Sequence, residues 1–272
     1  MIQKHNRIDQ LFSDRSKTRF IPFITVGDPN LEASFHLVHA LVEAGSDLIE
    51  LGVPYSDPLA DGPTIQRASQ RALANRVAMP DALHFVGRLR QSGIRIPLVL
   101  FSYYNPVLQY GLDRFFADLA ESGADGIVIP DLPVEENEEA TKAAGRYGIH
   151  IISLVAPTSE ARISKIGRQA SGFLYCVSSL GVTGTRSQLR EDLADFLEKV
   201  KANTSVPTAV GFGISTPEQV RELAPHADGI IVGSAIVQEI ERNQELLRDP
   251  EQLQAGVEKI KTFVHRLTSA LQ

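Results

Sequence analysis

Two carboxylates stand at the ends of a short stretch that changes from an apolar strand into a proline-rich loop. Glu50 lies inside the apolar run 48–53, and Asp61 ends the loop, immediately before a Gly-Pro pair. A buried strand rarely carries glutamate, because an unpaired buried charge is costly. Burial raises the pKa of such a carboxyl, and a general acid or base needs a raised pKa near neutral pH. The stretch 47–64 therefore predicts acid–base chemistry.

Each carboxylate also has a purely structural interpretation. Glu50 at a strand end is compatible with a salt bridge or hydrogen bond that only stabilises the fold. An Asp before Gly-Pro is more commonly a helix N-cap or part of an Asx-turn than a catalytic group. The functional interpretation of Glu50 and Asp61 therefore depends on the residues around them.

Glycine-containing loops follow the last three predicted strands. They are 180–186, 211–215 and 233–235. The N–H groups of glycine loops and of helix N-termini form a donor-rich concavity that fits a phosphate. A tight turn explains any one of these loops taken alone, but three in succession favour an anion site. We predict that the N–H groups of Gly184, Gly213 and Ser234 hold a phosphate.

Aromatic side chains at strand ends predict an apolar slot between the carboxylates and the phosphate. They are Phe23, Tyr175 and Phe212. Ordinary core contacts are the alternative for each aromatic residue taken singly. No His–Glu or Cys–His cluster has the spacing of metal ligands, so we expect no metal. Lysine is scarce at the predicted strand ends, which leaves no obvious Schiff-base nucleophile.

The composition excludes several classes of protein. A hydrophobic fraction of 43% in 272 residues supplies a sizeable core and excludes a disordered chain. The net charge of -6, with no basic run, argues against a nucleic-acid surface. A single cysteine, Cys176, excludes an internal disulfide and fits a reducing cytoplasm. Residues 1–18 are polar and charged, so we expect no signal peptide, and no apolar run approaches a membrane span.

Eight short apolar segments, each followed by a helical pattern, predict a parallel sheet that is buried on both faces. The segments are 20–25, 47–53, 96–101, 126–129, 149–155, 173–177, 207–212 and 229–232. A turn, an Asp and an apolar strand recur at 43–52, 121–130 and 226–234. We therefore predict an α/β fold, a single-domain (β/α)8 TIM barrel over 1–272. An extra amphipathic helix within 1–19 is expected to cover one end of the core.

Six segments carry a resemblance to a known family. They are PFITVGDPN (22–30), LIELGVPYSDPLADGPTIQRAS (48–69), PDLPVEE (130–136), SSLGVTGTR (178–186), GFGIS (211–215) and IVGSAIV (231–237). Over essentially its whole length the chain resembles the tryptophan synthase alpha subunit. The resemblance implies a lyase that cleaves indole-3-glycerol phosphate to indole and glyceraldehyde 3-phosphate in a retro-aldol reaction. It implies neither metal nor organic cofactor in this subunit.

The resemblance also implies a role for each candidate residue. Glu50 is expected to protonate the indole ring carbon and to take the proton of the glycerol hydroxyl. Asp61 is expected to accept a hydrogen bond from the indole N–H and to stabilise positive charge there, while Tyr175 orients the substrate. The groups expected to hold the phosphate are Gly184, Gly213, Gly233 and Ser234. The residues expected to frame the indole are Phe23, Thr25, Ile65 and Phe212.

A partner is implied in the same way. The family works with a pyridoxal-phosphate beta subunit, which receives indole by an internal route, in an expected alpha2beta2 heterotetramer. The loops 54–60, 103–109 and 131–134 are the expected docking surface. Its apolar residues are Tyr103, Tyr104, Val107, Leu108 and Tyr110. The loops 54–63 and 179–188 are expected to move.

Three alternatives stay open from the sequence. A stand-alone indole-3-glycerol phosphate lyase that releases free indole would share the same site. Another phosphate-binding barrel enzyme, such as an isomerase, would need a different acid–base pair. A non-catalytic barrel that only regulates the beta subunit would not need both carboxylates.

Overall fold

Eight parallel strands close into a barrel, and the computed structural model describes residues 6–177, 186–211 and 213–271. The strands are β1 (Arg19–Thr25), β2 (Ile49–Gly52), β3 (Leu98–Phe101), β4 (Gly126–Val128), β5 (His150–Val155), β6 (Leu174–Val177), β7 (Thr208–Gly211) and β8 (Gly229–Val232). Each strand pairs with its neighbours in the sequence, and β1 pairs with β8 to close the ring. The predicted (β/α)8 barrel is confirmed.

Helices surround the strands. Those that the structure describes are α1 (Arg7–Leu11), α2 (Leu31–Glu43), α3 (Pro63–Ala74), α4 (Met79–Gln91), α5 (Tyr104–Tyr110), α6 (Leu112–Ser122), α7 (Glu138–Tyr147), α8 (Ile163–Gln169), α9 (Arg186–Ala202), α10 (Pro217–Leu223), α11 (Ser234–Arg242), α12 (Gln244–Arg248) and α13 (Leu253–Thr268). None of them is both long and apolar enough to cross a lipid bilayer.

Side chains of the strands alternate between the barrel interior and the surrounding helices, as the pleat requires. The larger buried cluster joins outward-facing strand residues such as Ile49 and Leu51 to the helices. A smaller cluster fills the interior, with Leu48 and Val99 among its members. The interior is therefore a packed core at the end where the strands begin, which we call the base.

The N-terminal helix α1 closes the base. Its Ile8 and the following Phe12 are buried in the interior cluster, so the predicted cover for one end of the core is confirmed. The helix is shorter than the predicted stretch, however. Side-chain hydrogen bonds of Ser13 to Gln10 and of Asp14 to the Ser16 N–H hold turns after it.

The recurring Asp of the internal sequence repeat has a common structural role at the base. Each Asp precedes an even-numbered strand and accepts a hydrogen bond from a backbone N–H of the preceding strand. The pairs are Asp47 with Phe20 at 2.8 Å, Asp125 with Leu98 at 2.9 Å and Asp228 with Thr208 at 2.7 Å. Neighbouring strands are therefore fastened together at the end opposite the one we call the mouth, where the strands finish.

One helix departs from the sequence analysis. Residues 103–109 were expected to be a loop, but Tyr104–Tyr110 forms α5 directly after β3. Pro106 lies in the first turn of this helix. A proline is tolerated there, because the N–H that it lacks would have no partner within the helix.

Candidate functional site

A cavity of about 150 Å³ opens at the mouth of the barrel. Its lining includes Glu50, Asp61 and Tyr175 together with Gly213, Gly233 and Ser234. The sequence analysis assigned these residues to one site although they lie on five different loops and strands. The fold brings them around a single opening.

Glu50 reaches the cavity from the inner face of β2. It pairs in register with Phe23 of β1 and Val99 of β3, and it is only 1% exposed. Its Oε1 has no hydrogen-bond partner, and no ion pair from the described residues reaches it. Burial raises the pKa of Glu50 to about 8. The fold therefore does not support the interpretation of Glu50 as a salt-bridged structural carboxylate, because its carboxyl stays protonated at neutral pH and has no ion pair within the described residues.

Asp61 reaches the cavity from the end of the loop after β2. The N-cap of α3 is Gly62, and this helix has no side-chain cap, so Asp61 does not serve as the N-cap. Its backbone carbonyl instead accepts a hydrogen bond of 2.8 Å from Gln66. Burial raises the pKa of Asp61, and a hydrogen bond from the Tyr103 hydroxyl opposes that rise. The carboxylate remains available to a ligand in the cavity.

Tyr103 is a partner of Asp61 that the sequence analysis did not find. It is 3% exposed, and its hydroxyl accepts a hydrogen bond of 2.9 Å from the Ala60 N–H while it donates to Asp61. Tyr103 and Val107 were expected on a docking surface, but both are buried. The sequence contained no signal for this contact, because Tyr103 and Asp61 belong to loops after different strands.

Tyr175 lies on β6, across the barrel from Glu50. Burial, together with the nearby Glu50 carboxyl, raises the pKa of Tyr175, so its hydroxyl stays protonated. A methyl group added at Gly211 would lie 2.7 Å from that hydroxyl. Glycine at this position of β7 therefore makes the space that Tyr175 occupies.

Apolar residues line the cavity between these groups. Phe23 meets Phe101 edge-on, with ring centroids 5.7 Å apart, and Ile65 borders the same space. A side chain at Gly52 would come within 2.5 Å of the Phe23 ring. The sequence analysis missed Phe101 and Leu154, which are also in the lining. The alternation that places Val99 inside the barrel also places Phe101 there and gave a signal for it.

The predicted anion-binding groups are partly described. Gly213 has a positive φ of 74°, a conformation that glycine adopts readily. Gly233 is the N-cap of α11 and Ser234 is its first residue, where backbone N–H groups lack partners within the helix. Gly184 and Phe212 lie outside the described residues.

Thr25 is the one described candidate that does not line the cavity. It ends β1 and is 1% exposed, and its hydroxyl has no hydrogen-bond partner. Across the described ranges, no group of three His, Cys, Asp or Glu side chains has the arrangement of a metal site.

The closed barrel and the cavity at its mouth define the class of (β/α)8-barrel enzymes. A family model for the tryptophan synthase alpha chain matches residues 10–270. The chain belongs to the tryptophan synthase alpha chain family.

Individual relatives agree with this family. The tryptophan synthase alpha chain of Geobacillus stearothermophilus is 54% identical over 252 residues, which is 93% of this chain and 94% of the relative. The crystal structure of tryptophan synthase subunit alpha from Legionella pneumophila superposes with a TM-score of 0.85 at 38% identity, over 97% of this chain and 99% of that chain. A chain of the M. tuberculosis tryptophan synthase, in its aminoacrylate-bound form, gives a TM-score of 0.84 at 33% identity, over 98% of this chain and the whole of that chain.

Proposed function

We propose that Glu50 and Asp61 are the two groups with which this chain, a lyase of tryptophan biosynthesis, cleaves indole-3-glycerol phosphate. The observation that carries the proposal is the buried, unpartnered Glu50 carboxyl at the mouth of the barrel. A pKa of about 8 keeps its proton in place at neutral pH, so the carboxyl is ready to act as a general acid.

The retro-aldol reaction needs a proton at two successive points. Glu50 donates its proton to the indole ring carbon that bears the glycerol chain, which turns the ring into an electron sink. The carbon–carbon bond then breaks as Glu50 takes the proton of the adjacent hydroxyl, which becomes the aldehyde. The bonding electrons return to the ring and release indole, and Glu50 is protonated again, so protons balance over the cycle.

Asp61 stabilises the intermediate state of this reaction. Positive charge develops on the ring nitrogen when the ring carbon is protonated, and a carboxylate accepting a hydrogen bond from that N–H offsets the charge. Tyr175 orients the substrate, and Phe23, Ile65 and Phe101 border the space for the ring. Gly213, Gly233 and Ser234, with Gly184 as a further candidate, hold the phosphate, and Phe212 is a further candidate for the space around the indole ring. Thr25, the last residue of β1, stays a proposed contact of the indole ring.

The assay for this function is the release of indole from indole-3-glycerol phosphate by the purified chain. We expect Glu50→Gln to abolish cleavage while substrate binding remains nearly intact, because the amide cannot exchange a proton. Asp61→Asn should also strongly reduce cleavage. Gly233→Val should lower the affinity of the chain for phosphate-bearing ligands. Normal turnover by Glu50→Gln would contradict the assignment.

We further propose that the chain forms one domain and acts in the cytoplasm beside a beta subunit that carries pyridoxal phosphate, in an alpha2beta2 complex. The family name implies the beta partner, and Leu59 and Leu108 are strongly exposed apolar side chains near the mouth. Mixing the two chains and measuring the mass of the complex tests the stoichiometry. A large increase in lyase activity on mixing favours the complex over a stand-alone lyase.

A further inference from the structure

Four charged side chains form a network beside the site, which we call the α3–α11 network. Arg71 donates to both oxygens of Asp28 at 2.7 and 2.9 Å and to Glu241 at 2.7 Å. Arg67 makes two further hydrogen bonds of 2.8 Å to Glu241. Asp28 is 1% and the Arg71 side chain 13% exposed, so the bidentate pair at the centre of the network is shielded from water.

The network joins the elements that carry opposite ends of the site. Arg67 and Arg71 belong to α3, which begins two residues after Asp61. Glu241 belongs to α11, which begins at Ser234. Both helices therefore start at the cavity, one at the carboxylate and one at the proposed phosphate donors.

The two helices also meet beneath the cavity. Ile65 and Ala68 of α3 and Val237 of α11 form one buried cluster with Phe23. This apolar contact holds the helices together but fixes their register less strictly than hydrogen bonds do, because hydrophobic attraction has no direction. The hydrogen bonds from Arg67 and Arg71 to Glu241 are directional, so they fix the register between the helices.

None of the four side chains of the network belongs to the lining of the cavity. Arg71 is eight residues beyond Pro63, and Glu241 is seven residues beyond Ser234. At about 1.5 Å per residue, these positions lie roughly 10–12 Å from the helix starts. A change in the network therefore reaches the cavity only by moving the helices.

We propose that the α3–α11 network is a positioning device that sets the separation between Asp61 and the phosphate donors of α11. It thereby selects substrates by the distance between their ring nitrogen and their phosphate. This inference rests on the proposed function. The binding of a ligand that contacts only one end of the site does not depend on this separation. The binding and cleavage of a substrate that spans both ends do depend on it.

The test uses Glu241→Gln, which keeps the shape of the side chain and removes both ion pairs to α3. Glu135→Gln is the matched control, because Glu135 also pairs with two cations, Arg162 and Lys165, but contacts neither helix. For each variant, kcat/KM is measured with indole-3-glycerol phosphate. The inhibition constants of indole and of glycerol 3-phosphate, each of which occupies one end, are measured in the same assay.

We expect Glu241→Gln to lower kcat/KM at least tenfold relative to Glu135→Gln, while both inhibition constants change less than twofold. Misplacement by about 1 Å can cost as much as a hundredfold in rate. Arg71→Lys keeps its charge but cannot bridge both carboxylates, so it should show the same split.

Two results would overturn the inference. One is cleavage by Glu241→Gln at the rate of the control. The other is a loss of fragment affinity equal to the loss in kcat/KM, since that would indicate local damage at one end. A wild-type chain that does not cleave the substrate would instead contradict the proposed function, so the two failures are distinguishable.

Discussion

Glu50 makes the folded state sensitive to pH. Its pKa is about 8 in the barrel, against an ordinary value of 4.5, so the folded chain holds the proton more tightly than the unfolded chain does. Below pH 4.5 the carboxyl is protonated in both states and does not change the free energy of unfolding. As the pH rises from 4.5 towards 8, only the unfolded chain loses the proton, so the free energy of unfolding declines. The buried Glu50 carboxyl therefore lowers the stability of the fold as the pH rises above 4.5.

Glu50→Gln should remove this decline. Because one pKa unit corresponds to about 1.4 kcal/mol, we expect the variant to be more stable than the wild type by a few kcal/mol at pH 9, and nearly equal to it at pH 4.5. Urea denaturation at both pH values measures the difference. Parallel curves for the two proteins at all pH values would show that Glu50 is ionised without cost.

Tyr103→Phe should shift the pH dependence of cleavage. The hydroxyl lowers the pKa of Asp61, so its removal raises that pKa and moves the acidic limb of the kcat/KM profile to higher pH. A hydrogen bond to a charged group contributes about 1.5–3 kcal/mol, which corresponds to a shift of the acidic limb by roughly one to two pH units.

The control for that variant is Tyr110→Phe. The Tyr110 hydroxyl also binds a carboxylate, that of Asp118 at 2.6 Å, but on α5 and α6 outside the cavity lining. Its pH profile should match the wild type. An unshifted profile for Tyr103→Phe would show that Asp61 does not depend on Tyr103.

At the scale of elements, strand glycines shape the site by making room for aromatic side chains. Gly211 of β7 faces the Tyr175 hydroxyl, and Gly52 of β2 faces the Phe23 ring. A strand glycine normally weakens a sheet, because it contributes no side chain to the core. At these two positions the missing side chain leaves the space in which the cavity-lining aromatic residues lie.

Gly211→Ala should therefore lower cleavage by displacing Tyr175. The collision is with the hydroxyl at 2.7 Å, so adding Tyr175→Phe to the same chain should recover part of the loss. Gly145→Ala is a control, since nothing lies within 4 Å of a methyl group there. Equal activity of Gly211→Ala and the wild type would show that the strand shifts to admit the methyl group.

The sequence was informative where one residue type conflicts with its surroundings. A glutamate within the apolar run of β2 and glycines after successive strands both pointed to the mouth, and the eight repeats of strand and helix led to the barrel. The hydrogen bond between Tyr103 and Asp61 was not predictable, because it joins side chains from separate loops whose paths depend on the whole fold. Helix α5 (Tyr104–Tyr110) was not predicted from the sequence.

At the scale of the whole molecule, the two ends of the barrel have different duties. The mouth holds the buried Glu50 carboxyl, whose Oε1 has no hydrogen-bond partner among the described residues, whereas the buried carboxylate Asp125 at the base is paired. Asp125 is 3% exposed and pairs with Arg7 at 2.8 Å and with Arg90 at 2.7 Å. Arg90 also donates to backbone carbonyls, including that of Gly123 at 2.9 Å. We therefore expect residues at the base to support stability and those at the mouth to support activity.

Arg90→Met tests this division. Removing one partner of a buried ion pair costs about 3–5 kcal/mol, so the free energy of unfolding should fall by roughly that amount. Because the base does not touch the cavity, kcat/KM of the folded variant should equal that of the wild type. A drop in kcat/KM below the melting transition would show that the base also shapes the mouth.

Helix α1 leaves the mouth as the open end of the barrel. Ile8 and Phe12 fill the interior at the base, so small molecules enter and leave the cavity at the mouth. Any second protein that is to collect a freed ring without losing it to bulk water must dock over that opening. The closure of the base by helix α1 thus determines that a protein receiving the ring must bind at the mouth.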